Sequence, residues 1–70
     1  MFELRKGQHE DETTLIGTFN TEEECLVRLY ENEGFLPPYI RTWGTSKLKN
    51  VDYGSHTWFY YIINLDTDEG

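Results

Sequence analysis

Asp52, Ser55 and His56 come closest to a catalytic set, placing an acid, a hydroxyl and an imidazole within five positions. Such a trio hydrolyses a substrate only when the imidazole is held between nucleophile and acid, with donors aimed at the developing oxyanion. Three side chains on one short turn rarely reach that geometry. The same residues are turn formers: Asp52 can accept a backbone N–H two residues on, Gly54 can take a positive φ, and Ser55 can cap the bend. His9 and His56 are the only histidines and Cys25 the only cysteine, a thin donor set for zinc. His56 also suits a pH-sensitive contact. Glu10-Asp11-Glu12 and Glu22-Glu23-Glu24 lack the alternating oxygens and the glycine of a calcium loop. There is no glycine-rich phosphate loop. The residues therefore favour a protein that is not an enzyme and carries no metal or cofactor.

A second set has the chemistry of recognition. Tyr39, Arg41 and Trp43 alternate along one segment, and Trp58 and Tyr60 along another. If the two segments pair in register, they make an aromatic surface around one guanidinium. Aromatic rings with arginine are enriched at protein-interface hot spots. The same set can stack a base and hold a phosphate, with Arg5, Lys6, Lys47 and Lys49 available as counter-charges. The third reading is ordinary core beneath a helix, which would leave Phe59, Tyr61 and Ile63 as the exposed face. Core packing would bury the Arg41 guanidinium, a costly arrangement, so Tyr39, Arg41, Trp43, Trp58 and Tyr60 are expected on the outer face.

The elements that must position these residues follow from periodicity. Phe2 to Lys6 alternates as a strand, and Gly7 to Glu12 is a polar turn. Thr13 to Phe19 is a second strand, with Leu15, Gly17 and Phe19 on one face and Thr14, Ile16 and Thr18 on the other. Thr21 and Glu24 match a capping box. The helix they open carries Cys25, Leu26, Leu29 and Tyr30 as its apolar stripe and stops near Gly34. Phe35-Leu36-Pro37-Pro38 forces an extended connection into a third strand, Tyr39 to Trp43. Gly44 to Asn50 reads as a polar loop, with Val51 either opening the next strand or leading into the Asp52–Ser55 turn. The last strand, Trp58 to Ile63, is apolar on both faces. Six uncharged β-prone residues are a hazard on an open edge, so this strand is expected at the centre of the sheet or paired with another protomer. The order predicts an α+β fold, ββαββ: a four-stranded, mostly antiparallel sheet with one helix across one face. No linker or repeat divides residues 1–70, and 65–70 read as a frayed acidic tail.

Size and charge narrow the function. A 70-residue chain with one cysteine builds a small core without an intrachain disulfide, which makes homo-oligomerisation the most accessible extra support. The net charge of −7, from 13 acids and 6 bases, repels nucleic acid and anionic membranes. It serves solubility and can also act as a decoy for a basic protein. Met1 leads into an alternating polar segment rather than a signal peptide, and no apolar run is long enough to span a bilayer, so the expectation is a cytoplasmic protein.

Asp52-Tyr53-Gly54-Ser55-His56-Thr57 followed by Phe59-Tyr60-Tyr61-Ile62, preceded by Ile16-Gly17-Thr18-Phe19 and a Glu-rich helix start, resembles small uncharacterised proteins of phages and mobile elements in Gram-positive bacteria. The layout matches over nearly the whole chain, and the detail is specific to the turn and the aromatic strand. The resemblance implies an accessory protein that binds and antagonises a host component, and it transfers no catalytic residue. The expected function is a non-enzymatic binding module acting on a host defence protein in the bacterial cytoplasm. The alternative is an oligomeric sponge that sequesters a nucleotide immune signal.

Overall fold

The computed structural model describes residues 1–35, 37, 40–55 and 57–66. Tyr39, His56, Leu36 and Pro38 of the extended connection, and the last four residues of the acidic tail lie outside the described residues.

Among the described residues the order is β1 Phe2–His9, β2 Glu12–Phe19, α1 Glu22–Glu33, β3 Arg41–Gly44, β4 Leu48–Asp52 and β5 Phe59–Asn64. The five strands form one antiparallel sheet in the order β2-β1-β5-β4-β3. The α+β class and the single helix agree with the sequence reading. The expected four strands become five, because the presumed polar loop 44–50 holds the turn of a hairpin and the start of its second strand, β4. Thr45 N–H donates to the Leu48 carbonyl (2.9 Å), and the Thr45 hydroxyl accepts from Leu48 N–H. The greasy strand, β5, sits at the centre as expected, flanked by β1 and β4.

Local chemistry sets the helix ends. The Thr21 hydroxyl accepts from Glu24 N–H, and the Glu24 carboxylate accepts from Thr21 N–H, which completes the capping box. Gly34 closes the helix in the left-handed region at φ 82°, its N–H bonded to the Tyr30 carbonyl. The stripe then seats Cys25 and Leu29 fully, and Leu26 and Tyr30 partly, on a sheet surface made by Leu4, Val51, Tyr53, Tyr60 and Ile62. Burial and the nearby Glu22 and Glu24 carboxylates push the Cys25 thiol up to about 11, so it is protonated and inert near neutrality.

Two irregularities depart from simple alternation. On β2 the register slips opposite Leu4 and Arg5, so that Gly17 and Leu15 pair with them and Ile16 is the extra residue of a bulge. The expected faces therefore hold on only one side of the bulge: Ile16 packs toward the core with Phe19 and stays on the side of Thr14, while Thr18 and the exposed Leu15 lie on the other. Gly7 is buried where β1 meets Thr13 of β2 and Phe59 of β5. A Cβ at Gly7 would collide with the Glu12 carbonyl oxygen and crowd Thr13. Gly7→Ala is expected to destabilise the protein by about 1–3 kcal/mol, as overpacking against backbone does, which urea unfolding measures directly.

Candidate functional site

The strand register divides the recognition set between the two faces of the sheet. β3 pairs with β4, not β5, so Arg41 and Trp43 are not in register with Trp58 and Tyr60. Arg41 is opposite Asp52, and Trp43 is opposite Asn50, which in turn is opposite Tyr61. Arg41 and Trp43 therefore share the face turned away from the helix with Phe59, Tyr61 and Ile63. Tyr60 belongs to the other face. It is fully buried under α1, so its expected place on an exposed surface is corrected. Trp58, also on the helix side, remains exposed at the end of that face.

On the open face a row runs edge to edge through paired residues: Leu15, Arg5, Tyr61, Asn50 and Trp43. Its apolar ends are bare, with Leu15 and Trp43 each 48% exposed, whereas Tyr61 at its centre is 4% exposed. Trp43 meets Phe59 edge to face at 6.1 Å, a favoured ring geometry. Beside it Arg41 donates to Asp52 at 3.0 Å, while its own side chain is 68% exposed. Asp52 also accepts from Gly54 N–H at 2.9 Å, and the Ser55 hydroxyl accepts from the N–H groups of Thr57 and Trp58. Gly54 has φ 104°. Asp52 and Ser55 are thus engaged in turn chemistry, as the sequence suggested. A shallow hollow of about 370 Å³ lies along Arg41, Thr42 and Trp43. The acidic hairpin tip, Glu10 and Asp11, lies near enough to Tyr61 that its charges add to burial in raising the Tyr61 hydroxyl above its ordinary range.

The cations named as phosphate counter-charges are largely committed to carboxylates. Arg5 pairs with Glu3, Lys6 with Glu33, and Lys49 with Glu22. Arg5 and Lys6 are also on opposite faces. Among the described residues no group of three His, Cys, Asp or Glu side chains is placed to hold a metal ion. No helix among them is long and apolar enough to cross a membrane.

The helix face carries a polar cluster that sequence reasoning missed. Lys6 Nζ donates to Glu33 Oε2 at 2.8 Å, the Tyr60 hydroxyl donates to the same oxygen at 2.5 Å, and Asn32 Nδ2 donates to the Tyr60 oxygen at 2.7 Å. The cluster ties the end of α1 to the sheet, as Lys49 and Glu22 tie its start. Burial works against the Glu33 carboxylate, but the bonds from Lys6 and Tyr60 outweigh it and hold Glu33 below its ordinary 4.5. Burial likewise opposes the Lys6 charge, and the Glu33 bond outweighs that too, raising Lys6. Burial, with the bond to Glu33, pushes Tyr60 up to about 12. The lowered Glu33 contributes stability that is complete above pH 4.5 and lost as pH falls below that value through the lower one of the folded protein. The raised Tyr60 contributes stability that is complete below pH 10 and lost as pH rises toward 12. Urea midpoints should decline at both ends of the pH range. Glu33→Gln should weaken the protein at pH 7 and shrink the loss seen as pH falls below 4.5. An unchanged acid limb in that variant would remove Glu33 from the account.

No protein-family model, no curated protein and no solved structure matches the chain.

Proposed function

We propose that this chain is a non-enzymatic binding module that docks its open sheet face on a basic surface of another protein. The carrying observation is that one helix covers one side of the sheet, while the opposite side offers Trp43 on Phe59, exposed Leu15 and a largely exposed Arg41. Aromatic and arginine side chains on such a face are what hot spots use. The net charge of −7 and the acidic tip beside that face favour a cationic partner, whose encounter would be steered electrostatically. The resemblance to phage and mobile-element proteins supplies the partner class, a bacterial host factor such as a defence protein, and with it the cytoplasm as the place of action. The nucleotide-sponge alternative gains less support, because three of its four candidate counter-charges, Arg5, Lys6 and Lys49, are paired and spread over two faces. Homo-oligomerisation through the sheet edges is also weakly supported: β3 has four residues, and β2 is interrupted by its bulge, both features that blunt edges.

The test is capture from host lysate at low salt, with wild type and Val27→Ser as a control on the exposed helix surface. A partner retained by both and released as salt rises beyond about 0.15 M fits an electrostatically steered interface. Capture that ignores salt, or no stable partner at low salt, would overturn the proposal. A solution mass of one chain would leave the open face free for a partner.

A further inference from the structure

Lys6 projects from β1 to the helix-covered side, at the end of the sheet where α1 stops. Its Nζ lies 5.9 Å from the ring centroid of Tyr53, 5.6 Å from that of Trp58 and 5.4 Å from that of Tyr60. Glu33 Oε2 is 2.8 Å away. Three rings and a carboxylate around one cation constitute an aromatic cage. It is reachable from water, since Trp58 is exposed and Lys6 keeps 27% of its side-chain surface.

The three centroid distances span 5.4–5.9 Å, inside the range of about 6 Å over which a ring face attracts a cation. N-methylated ammonium groups are the ligands that such cages recognise. The remaining wall is Glu33, held in place by the Tyr60 hydroxyl. A carboxylate there rewards an occupant that still carries an N–H.

We propose that Tyr53, Trp58, Tyr60 and Glu33 form a binding site for an N-methylated ammonium group that retains one N–H, and that Lys6 fills this site as a tethered stand-in until such a ligand displaces it. The site is on the opposite side of the sheet from the docking face, so neither proposal depends on the other. Because Lys6 is covalently attached, it competes at a high effective concentration. The wild-type protein thus binds the ligand more weakly than a chain without that ammonium.

Lys6→Thr removes the ammonium and suits a strand position opposite Thr14 and Tyr60. Wild type and K6T are titrated with trimethylammonium chloride, which has one N–H, and with tetramethylammonium chloride, which has none. Sodium chloride at equal ionic strength is the control, and NMR follows the Trp58 indole and the tyrosine rings. K6T is expected to bind trimethylammonium at least about ten-fold more tightly than wild type and to prefer it over tetramethylammonium. Adding Trp58→Ala should abolish the response. A folded K6T whose ring signals move no more with trimethylammonium than with sodium chloride overturns the site, as does an unchanged affinity after Trp58→Ala. If K6T does not fold, the wild type decides. Release of the Lys6 ε-methylene from its ring-current shift by trimethylammonium supports the cage, and an unmoved ε-methylene at the highest soluble concentration overturns it.

Discussion

Tyr60→Ala is expected to leave most of the protein unfolded at room temperature. Among the described residues Tyr60 is the largest fully buried side chain, with no exposed surface. It stands at the meeting point of β1, β4 and β5, opposite Lys6 on one side and Val51 on the other. Its ring packs on Tyr53 at 5.2 Å, and its hydroxyl links Asn32 and Glu33 of the helix. Truncating a buried aromatic to alanine costs about 3–5 kcal/mol. A chain of 70 residues has a total stability of roughly 3.5–10 kcal/mol at typical values per residue. The loss is therefore comparable with the whole. Tyr60→Phe separates the two contributions. It keeps the ring and removes only the hydroxyl, leaving the Asn32 amide and one Glu33 bond unanswered, for about 1–2 kcal/mol. Circular dichroism with urea titration reads both. A cooperative, near-wild-type transition for Tyr60→Ala would mean that Tyr60 is not a core residue.

That result would also test how the faces of β5 are assigned, which is where the sequence was least legible. The helix was readable nearly to the residue, because its signals are local: Thr21 and Glu24 sit three apart, the stripe Cys25, Leu26, Leu29 and Tyr30 repeats at helical spacing, and Gly34 follows. Arg41 could be placed on the outer side, since a guanidinium is costly to bury, and it is largely exposed there. β4 was hidden because Leu48-Lys49-Asn50 has no alternating apolar pattern. Its inward-facing residue is Lys49, which is satisfied by Glu22 from the far end of the chain's helix, a tertiary fact absent from any local window. Without β4, β3 and β5 read as neighbours, which groups Trp58 and Tyr60 with Tyr39, Arg41 and Trp43. The bulge at Ile16 likewise leaves no trace in an otherwise regular β pattern. Lys6 read as the polar half of an alternating strand, whereas it sits inside a ring of aromatics drawn from segments about fifty residues away.

The double variant Arg41→Ala and Trp43→Ala should behave in the opposite way to Tyr60→Ala: it should stay folded and lose its partner. Both residues lie on β3, the four-residue edge strand with no buried position. The Trp43–Phe59 contact contributes about 0.5–1.5 kcal/mol. The Arg41–Asp52 pair is exposed on the arginine side and contributes about 0–1 kcal/mol. Asp52 keeps the Gly54 N–H in the variant. Together the losses reach about 2 kcal/mol, within what a domain of this size tolerates while still unfolding cooperatively. At the interface the same two side chains are the ring and guanidinium of the docking face, and truncating hot-spot residues of this kind costs 2 kcal/mol or more each, or about a thirty-fold rise in Kd. Wild type and variant are compared by urea unfolding and by binding to the captured partner at fixed salt. A cooperative variant with at least a thirty-fold weaker Kd places the docking surface at β3. A variant that unfolds makes this edge part of the scaffold. A folded variant that binds unchanged moves the docking surface elsewhere. Either of those last results ends the reading of the open face as the site of recognition.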